Sequence, residues 1–482
     1  MSTASPSSRS LTRGLPWVLV GNVLYMASAA LLTLVLPRII SVADYGLWQL
    51  YQLYVMYFGY VTFGYTDGVY LRLGGRRWAD MPGPRLSAGL IRLFALDLLA
   101  CIGLVAWVWA AAPPQQRGLI LVLAGLGALF YVPRTLVTVV LQIAGRARAF
   151  ALGTVVERMV TFVGVGGALL FGVRAVIVFI VFDVLGKALG LVIAVLIARG
   201  VFLARPDLSW QAAREFFIDC GAGMFVLVSN LAAALITFVV RWAVEDRWGI
   251  EMFAQVSLAF QFTTMFMVLV NSVSISVYPQ LSNLDRAHYA DAYATLRSRF
   301  VTPLVLMLGL YFPLAWVLGL WLPNYGQAIF FLALLFPLSV YETKSRGLSV
   351  VFLKVMRRER LMAVINLACL GLAVVGTWWT VYLWGSVTAA VFLIAMVSAV
   401  RSIASEVLIN RLIGVPILAD TLTELLVCAV FLGVVAAGGP PLGLLAVYAT
   451  LLLYGYVHRD ALPGLGVLRR GRRPVPPRRG RW

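Results

Sequence analysis

Apolar side chains run along this chain in stretches of about twenty, parted by short polar or charged turns. The first is Pro16–Leu36. Others cover 46–67, 90–112, 118–142, 152–172, 174–198, 216–243, 252–278, 301–322, 327–353, 361–384, 387–409, 420–437 and 441–457. Each is long enough, as a helix, to span a hydrocarbon core of about 30 Å. The pattern therefore predicts an all-α polytopic membrane protein with about fourteen transmembrane helices. No region alternates polar and apolar residues as an outer-membrane barrel would. No small-residue cleavage site follows the first stretch, so it reads as a helix and not as a removed signal peptide.

Composition agrees with that pattern. Hydrophobic residues make up 61% of the 482 residues and charged ones 12%, and mean hydropathy is +0.91. Soluble domains carry about 25% charged residues. The balance excludes an ordinary soluble enzyme, a disordered regulator and a secreted disulfide scaffold. The four cysteines, Cys101, Cys220, Cys369 and Cys428, fit no metal spacing and read as packing thiols. His288 and His458 lie at helix ends, where a solvated structural role is expected. No cofactor and no metal are expected.

The charge is lopsided, with 39 Lys and Arg against 20 Asp and Glu. In a soluble protein that would suggest nucleic acid. Here position decides otherwise. Of the 39, 29 fall in one alternate set of loops and in the tail. Arg38, Arg117, Arg174, Arg241 and Arg247 fall in the other set. Arg134, Lys187, Lys344, Arg346 and Arg401 lie deep inside stretches. That split is the positive-inside bias. It predicts both termini in the cytoplasm of a bacterial cell and a place in the cytoplasmic membrane, with no nucleic-acid partner. The basic tail, around 469–481, is expected to touch anionic lipid.

The two halves resemble one another. Arg38 and Gly46 match Arg241 and Gly249 at an offset of 203, which also pairs Tyr45 with Trp248 and Gln52 with Gln255. PRTLVTVVLQIAGRAR matches SRGLSVVFLKVMRRER at an offset of 212, pairing Arg134 with Arg346. At 214, Lys187 meets Arg401. Such slow drift suits a six-plus-six duplication with parallel repeats. The expected organisation is an N-terminal lobe over 1–209, a C-terminal lobe over 210–419, two further helices over 420–458, and a basic cytoplasmic tail over 459–482.

Certain segments carry a family resemblance: LVLPRIISVADYGLWQLYQLY at the start, Gly-Tyr-Thr-Asp-Gly at 64–68, QIAGRARAF after the fourth stretch, and SVYPQLS at 276–282. The chain resembles the polysaccharide transporters of the multidrug/oligosaccharidyl-lipid/polysaccharide exporter superfamily, which include O-antigen and capsule repeat-unit flippases. The resemblance covers nearly the whole chain. It implies two pseudo-symmetric six-helix lobes around a central cavity that opens alternately to each side, plus two C-terminal helices. It also implies an undecaprenyl-diphosphate-linked sugar as substrate.

A buried cation in a bilayer asks for a reason, since insertion at the centre costs about 2.5–3.5 kcal/mol. Arg134, Arg346, Lys187 and Arg401, with Arg38 and Arg241 nearer the outer mouth, are the candidate cavity cations for a diphosphate. Arginine's planar fork suits that group. The competing reading is local pairing. Asp183 lies four before Lys187, and Glu342 four before Arg346, on shared helix faces. Arg134 has no such partner in its span, and Arg401 has no acid four residues before it. Lys344 points away from Glu342. For the sugar, polar stripes supply Gln49, Gln52, Thr62, Gln261 and Asn271, with Tyr54 and Tyr57 placed to stack on rings; helix–helix hydrogen bonding is the equal alternative. Asp67, Asp97, Asp183 and Glu342 are candidates to carry a coupling H⁺ or Na⁺.

No nucleotide-binding, metallohydrolase or other enzyme signature is present. The expected function is a flippase that moves polyprenyl-diphosphate-linked oligosaccharide across the membrane by alternating access, with glycan polymerase machinery as a further partner. The alternatives are an ion-coupled multidrug exporter of the same superfamily and a non-transporting membrane protein of polysaccharide assembly.

Overall fold

The computed structural model describes residues 32–282, 288–356, 358–415, 417–438 and 441–458; of 147, 148, 266, 268–282, 359, 441 and 442 it describes the backbone only. The sequence-predicted first helix up to Leu31, the basic tail and the side chain of Asn271 lie outside the described residues. Among the described residues the fold is helical, without strands. Ten helical segments are long and apolar enough to cross a membrane.

The chain runs through α1 (Val42–Phe58), α2 (Tyr65–Leu73), α3 (Gly83–Ala111), α4 (Gln115–Ile143), α5 (Ala147–Leu170) and α6 (Val176–Ile197). A link then leads to α7 (Trp210–Ser282). Beyond it come α8 (Tyr289–Leu306), α9 (Tyr311–Trp321), α10 (Gly326–Lys344), α11 (Val350–Val355), α12 (Glu359–Thr377), α13 (Val387–Ile413), α14 (Leu418–Ala436) and α15 (Pro441–Val457).

Two breaks shape the fold, and the first departs from the sequence reading. The stretch 46–67 is not one helix. It turns over 59–64, where Phe63 and Gly64 take φ of 48° and 77°, left-handed values that end a right-handed helix. Thr62 therefore does not continue the stripe of Gln49 and Gln52 along one straight helix. Thr62 is buried within the turn, and Asp67 opens α2.

The second break lies in α7, between the predicted stretches 216–243 and 252–278, where the sequence reading expects a turn. Gly249 has φ 82° and ψ −178°, a conformation nearly closed to other residues. Arg241 Nη2 donates to Ser257 Oγ at 2.9 Å. In a straight helix those residues would stand about 24 Å apart. The chain thus folds back at Gly249, and rods 210–248 and 250–282 run side by side. Gly46, which the offset of 203 pairs with it in sequence, sits against this corner: a Cβ there would lie 2.5 Å from the Ile250 carbonyl oxygen.

Small residues set the packing elsewhere, as is common between membrane helices. Gly186 and Gly190 on α6 let α5 approach; a Cβ at Gly186 would lie 2.7 Å from the Glu157 carbonyl oxygen. All four cysteines are free and buried.

Two polar clusters join the elements. In the first, Lys344 on α10 is fully buried and meets Glu406 on α13 (2.8 Å) and Glu424 on α14 (2.7 Å). Arg297 on α8 binds the same two carboxylates, at 2.8 and 2.7 Å. Lys344 does face away from Glu342, and this network is where it goes. Arg297 reads as a loop cation in the sequence, but its helix starts at Tyr289, well before the apolar stretch, and buries it. This cluster pins α14 to the second half of the chain.

The second cluster joins the halves. Arg72 on α2 and Arg85 on α3 both bind Glu215 and Asp219 at the start of α7. Beside it α2 and α7 nearly touch. Any Cβ at Gly68 would overlap the Asp219 backbone, and one at Gly223 the Gly64 backbone. The halves also meet at the opposite end. Arg38 Nη1 donates to the Trp321 carbonyl (2.7 Å), Trp321 Nε1 to the Leu34 carbonyl (2.9 Å), and Arg117 pairs with Glu245 (2.8 Å).

Candidate functional site: a cationic cavity between the halves

Between these two closures lies a cavity of about 490 Å³. That size falls within the range of small-ligand pockets. α1 supplies one wall and the two rods of α7 supply the facing one, because the breaks at 59–64 and Gly249 bring their inner faces opposite each other. α10 and the turn after it close the side.

Four cations line the cavity, Arg158, Lys187, Arg241 and Arg346, against one carboxylate, Glu342. Their environments differ. Lys187 on α6 is ion-paired with Asp183, one turn earlier. Asp183 also accepts from Tyr51 Oη (2.8 Å) and Thr161 Oγ1 (3.3 Å). Arg346 sits on a π-helical turn over Ser345–Ser349 that links α10 to α11. Such turns often mark functional sites. Its Nε donates to Glu342 Oε2 at 3.0 Å, while its side chain stays 55% exposed.

Arg241 is the exception. It is buried, its guanidinium lies over Phe260 (5.0 Å) and Phe253 (5.3 Å), and its hydrogen bond goes to neutral Ser257. Among the described residues no carboxylate pairs with it, and its Nε has no hydrogen-bond acceptor. A buried charge without a counter-charge is costly. The cavity is where an anion could supply one.

The remaining sequence-predicted cations lie elsewhere. Arg134 is buried behind the wall, paired with Glu157 of α5 at 2.5 Å. Arg401 is buried in an ion pair with Glu342, which bridges it to Arg346. Neither lines the cavity. Neither has an acid four residues before it, yet each finds one on a neighbouring helix, which helical spacing does not reveal. Arg38 is spent on the Trp321 closure.

Of the polar candidates, Gln49, Gln52, Tyr57 and Gln261 line the cavity. Gln49 Nε2 donates to Tyr45 Oη (2.7 Å), whereas Gln52 Nε2 is buried without an acceptor among the described residues. Tyr57 Oη donates to the Ala234 carbonyl (2.7 Å), and its ring packs on Phe238 with centroids 4.4 Å apart. Tyr54 points away and stacks on Phe58. Of the acids, Asp183 and Glu342 are held in ion pairs. Asp67 and Asp97 are not part of the cavity; Asp97 is buried on α3, and its Oδ2 has no hydrogen-bond partner among the described residues. No group of metal-binding side chains occurs among the described residues.

Arg158 is the cavity residue that the sequence reading misplaced. The charge count puts it with the loop cations, but it stands within the stretch 152–172, and α5 begins before it, at Ala147. Its place inside that stretch was the available signal. Thr264, on the polar stripe with Gln261, is also on the wall, as is the neutral Thr237, which carried no such signal.

No protein-family model matches the sequence, and no curated protein matches it. Solved structures do share the fold. The lipid II flippase MurJ, in an inward closed conformation, superposes with a TM-score of 0.64 at 12% identity, covering 93% of this chain and 98% of its own. A multidrug resistance MATE family transporter of the MOP superfamily, inward-facing, gives 0.58 at 15% identity over 82% and 94%. A MOP superfamily transporter from Pyrococcus furiosus, described as having a binding pocket of reversed polarity, gives 0.58 at 13% over 86% and 99%. The chain has the fold of these transporters, as the resemblance in its sequence implied.

Proposed function

We propose that this protein is a transporter of that superfamily and that its substrate carries an anionic headgroup on a lipid, most simply a polyprenyl diphosphate bearing sugar. One observation carries the reading: four cations and one carboxylate line the cavity, and Arg241 has no carboxylate partner among the described residues. A diphosphate is the matching ligand, since a guanidinium can bind two of its oxygens at once. Gln49, Gln52 and Gln261 supply hydrogen-bonding groups on the same wall for sugar hydroxyls.

The transport cycle follows from the closures. The halves meet at the Arg72–Arg85–Asp219 end and at the Arg38–Trp321 end, with the cavity between. Opening one end while the other stays shut gives alternating access. By the positive-inside rule the former end faces the cytoplasm, and the substrate moves from there to the outer leaflet. A multidrug exporter for cationic compounds would want the opposite lining charge.

The test is complementation. In a strain deleted for this gene, Arg241→Gln and Arg346→Gln should abolish export of the glycan while protein level and membrane insertion stay normal. Full export by both variants sinks the cationic-cavity reading.

A further inference from the structure

The two oxygens of Glu342 serve two different arginines. Oε2 accepts from Nε of Arg346, the cavity-lining residue. Oε1 is taken by Arg401 of α13 and by Ser398 Oγ at 3.2 Å. Both Glu342 and Arg401 are buried, with side chains 7% and 4% exposed, against 55% for Arg346. The terminal nitrogens of Arg346 make no hydrogen bond among the described residues. They are the atoms available to a ligand.

We propose that Arg401 is a positioning residue for anion binding: by holding the charge of Glu342 it leaves Arg346 free to turn to the substrate. The inference rests on the reading of the cavity as an anion site. Its physical basis is simple. If Arg346 were the sole counter-charge of Glu342, turning to a ligand would strand a buried carboxylate, and such stranding is strongly unfavourable. With Arg401 already on Oε1, the carboxylate stays compensated when Arg346 leaves. The ligand then gains a guanidinium that nothing in the wall holds back. Arg401 does not line the cavity, so as the second cation on a single carboxylate it acts on the ligand through Glu342.

The same geometry sets what each substitution does. Arg401→Gln ties Arg346 to Glu342 and weakens anion binding by roughly tenfold or more. Glu342→Gln combined with Arg401→Gln removes both charges, releases Arg346 and restores binding to near the wild-type level. Arg401→Lys keeps the counter-charge and binds like wild type.

The experiment is a binding titration of the purified full-length protein with geranylgeranyl diphosphate, with geranylgeraniol as the uncharged control. It covers the wild type, the variants above, Arg346→Gln, and Arg346→Gln with Arg401→Gln. The inference expects Arg401→Gln to weaken diphosphate binding in the wild-type background and to add nothing once Arg346 is glutamine. An equal loss in both backgrounds overturns it, because Arg401 would then act by some route other than Arg346. So does a double Glu342→Gln, Arg401→Gln variant as weak as Arg401→Gln alone, provided Arg401→Lys binds normally. A wild type that binds the alcohol as well as the diphosphate overturns the anion-site reading itself, and the role given to Arg401 with it.

Discussion

Arg85 on α3 and Asp219 on α7 form an ion pair that joins the first half of the chain to the second. Asp219 is fully buried and is shared with Arg72, whose Nη1 lies 2.5 Å from its Oδ1. Both arginines also reach Glu215, at 3.0 and 3.1 Å. Two forks thus grip two carboxylates one helical turn apart, at the place where the backbones of α2 and α7 come closest.

Asp219→Asn keeps the shape of this joint and removes its central charge. The arginines are part-exposed and retain Glu215, so the loss should be about 1–3 kcal/mol and not the full cost of a stranded buried charge. A melting curve of the detergent-purified variant should show a lower Tm. The joint should also open more often. Met56 is exposed and lines the cavity, so Met56→Cys in a background lacking the four native cysteines reports on access. Its labelling by a charged thiol reagent from the basic end should speed up with Asp219→Asn. Unchanged labelling would remove Asp219 from any gating role.

Gly68→Ala and Gly223→Ala should be damaging, although Gly→Ala within a helix ordinarily gains about 0.5–1 kcal/mol. Here the new methyl would meet backbone atoms of Asp219 and of Gly64, which have no flexible end to yield. Gly103→Ala is the control, since nothing lies within 4 Å of a Cβ there. Thermal stability by fluorescence-detected size exclusion should fall for the first two and hold or rise for the third. Equal behaviour of all three would mean that α2 and α7 are not in close contact.

Lys344→Met tests the network that holds α14. It leaves Glu406 and Glu424 with Arg297 as their sole buried cation, and breaking a buried pair in this way costs about 3–5 kcal/mol. Adding Glu424→Gln restores one cation for one buried carboxylate and should recover much of the loss. The readout is Tm for the single and double variants. A double variant less stable than the single one would contradict the charge balance proposed for this cluster.

Trp321→Phe should act at the opposite end. It deletes the indole N–H that donates to the Leu34 carbonyl and weakens the face under Arg38, while leaving the cavity wall intact. A net hydrogen bond is worth about 1 kcal/mol. The expected result is a small drop in Tm and faster labelling of Met56→Cys from the Arg38 end alone. Faster labelling from the basic end would mean that the two closures are not independent.

Much of the fold was legible because lipid leaves a chain few options. Backbone groups in hydrocarbon must bond within their own segment, so each apolar run of sufficient length is a helix. That reasoning reached the helices, and the charge pattern drew attention to Lys187, Arg241 and Arg346 before their surroundings were visible. It also parted the stretches 216–243 and 252–278, between which the chain folds back at Gly249, but it did not reach the break at Phe63–Gly64, where left-handed residues end a helix that periodicity treats as straight. It placed Arg297 in a loop, because apolar windows end before amphipathic helices do, and it counted Arg158 with the loop cations although that residue stands inside the stretch 152–172.

The repeat illustrates the limit. Arg134 and Arg346 correspond in sequence, as do Lys187 and Arg401, yet in each pair one residue lines the cavity and the other is buried behind it. What the sequence determined by itself was the solvent, the helices and an inventory of charges that a bilayer does not admit without cause. Tertiary structure alone decided which of those charges are neutralised and which are left facing a cavity. The reason is that neutralisation depends on carboxylates brought from other helices, Glu157 to Arg134 and Glu342 to Arg401, and no spacing along one helix can show where its neighbours will stand.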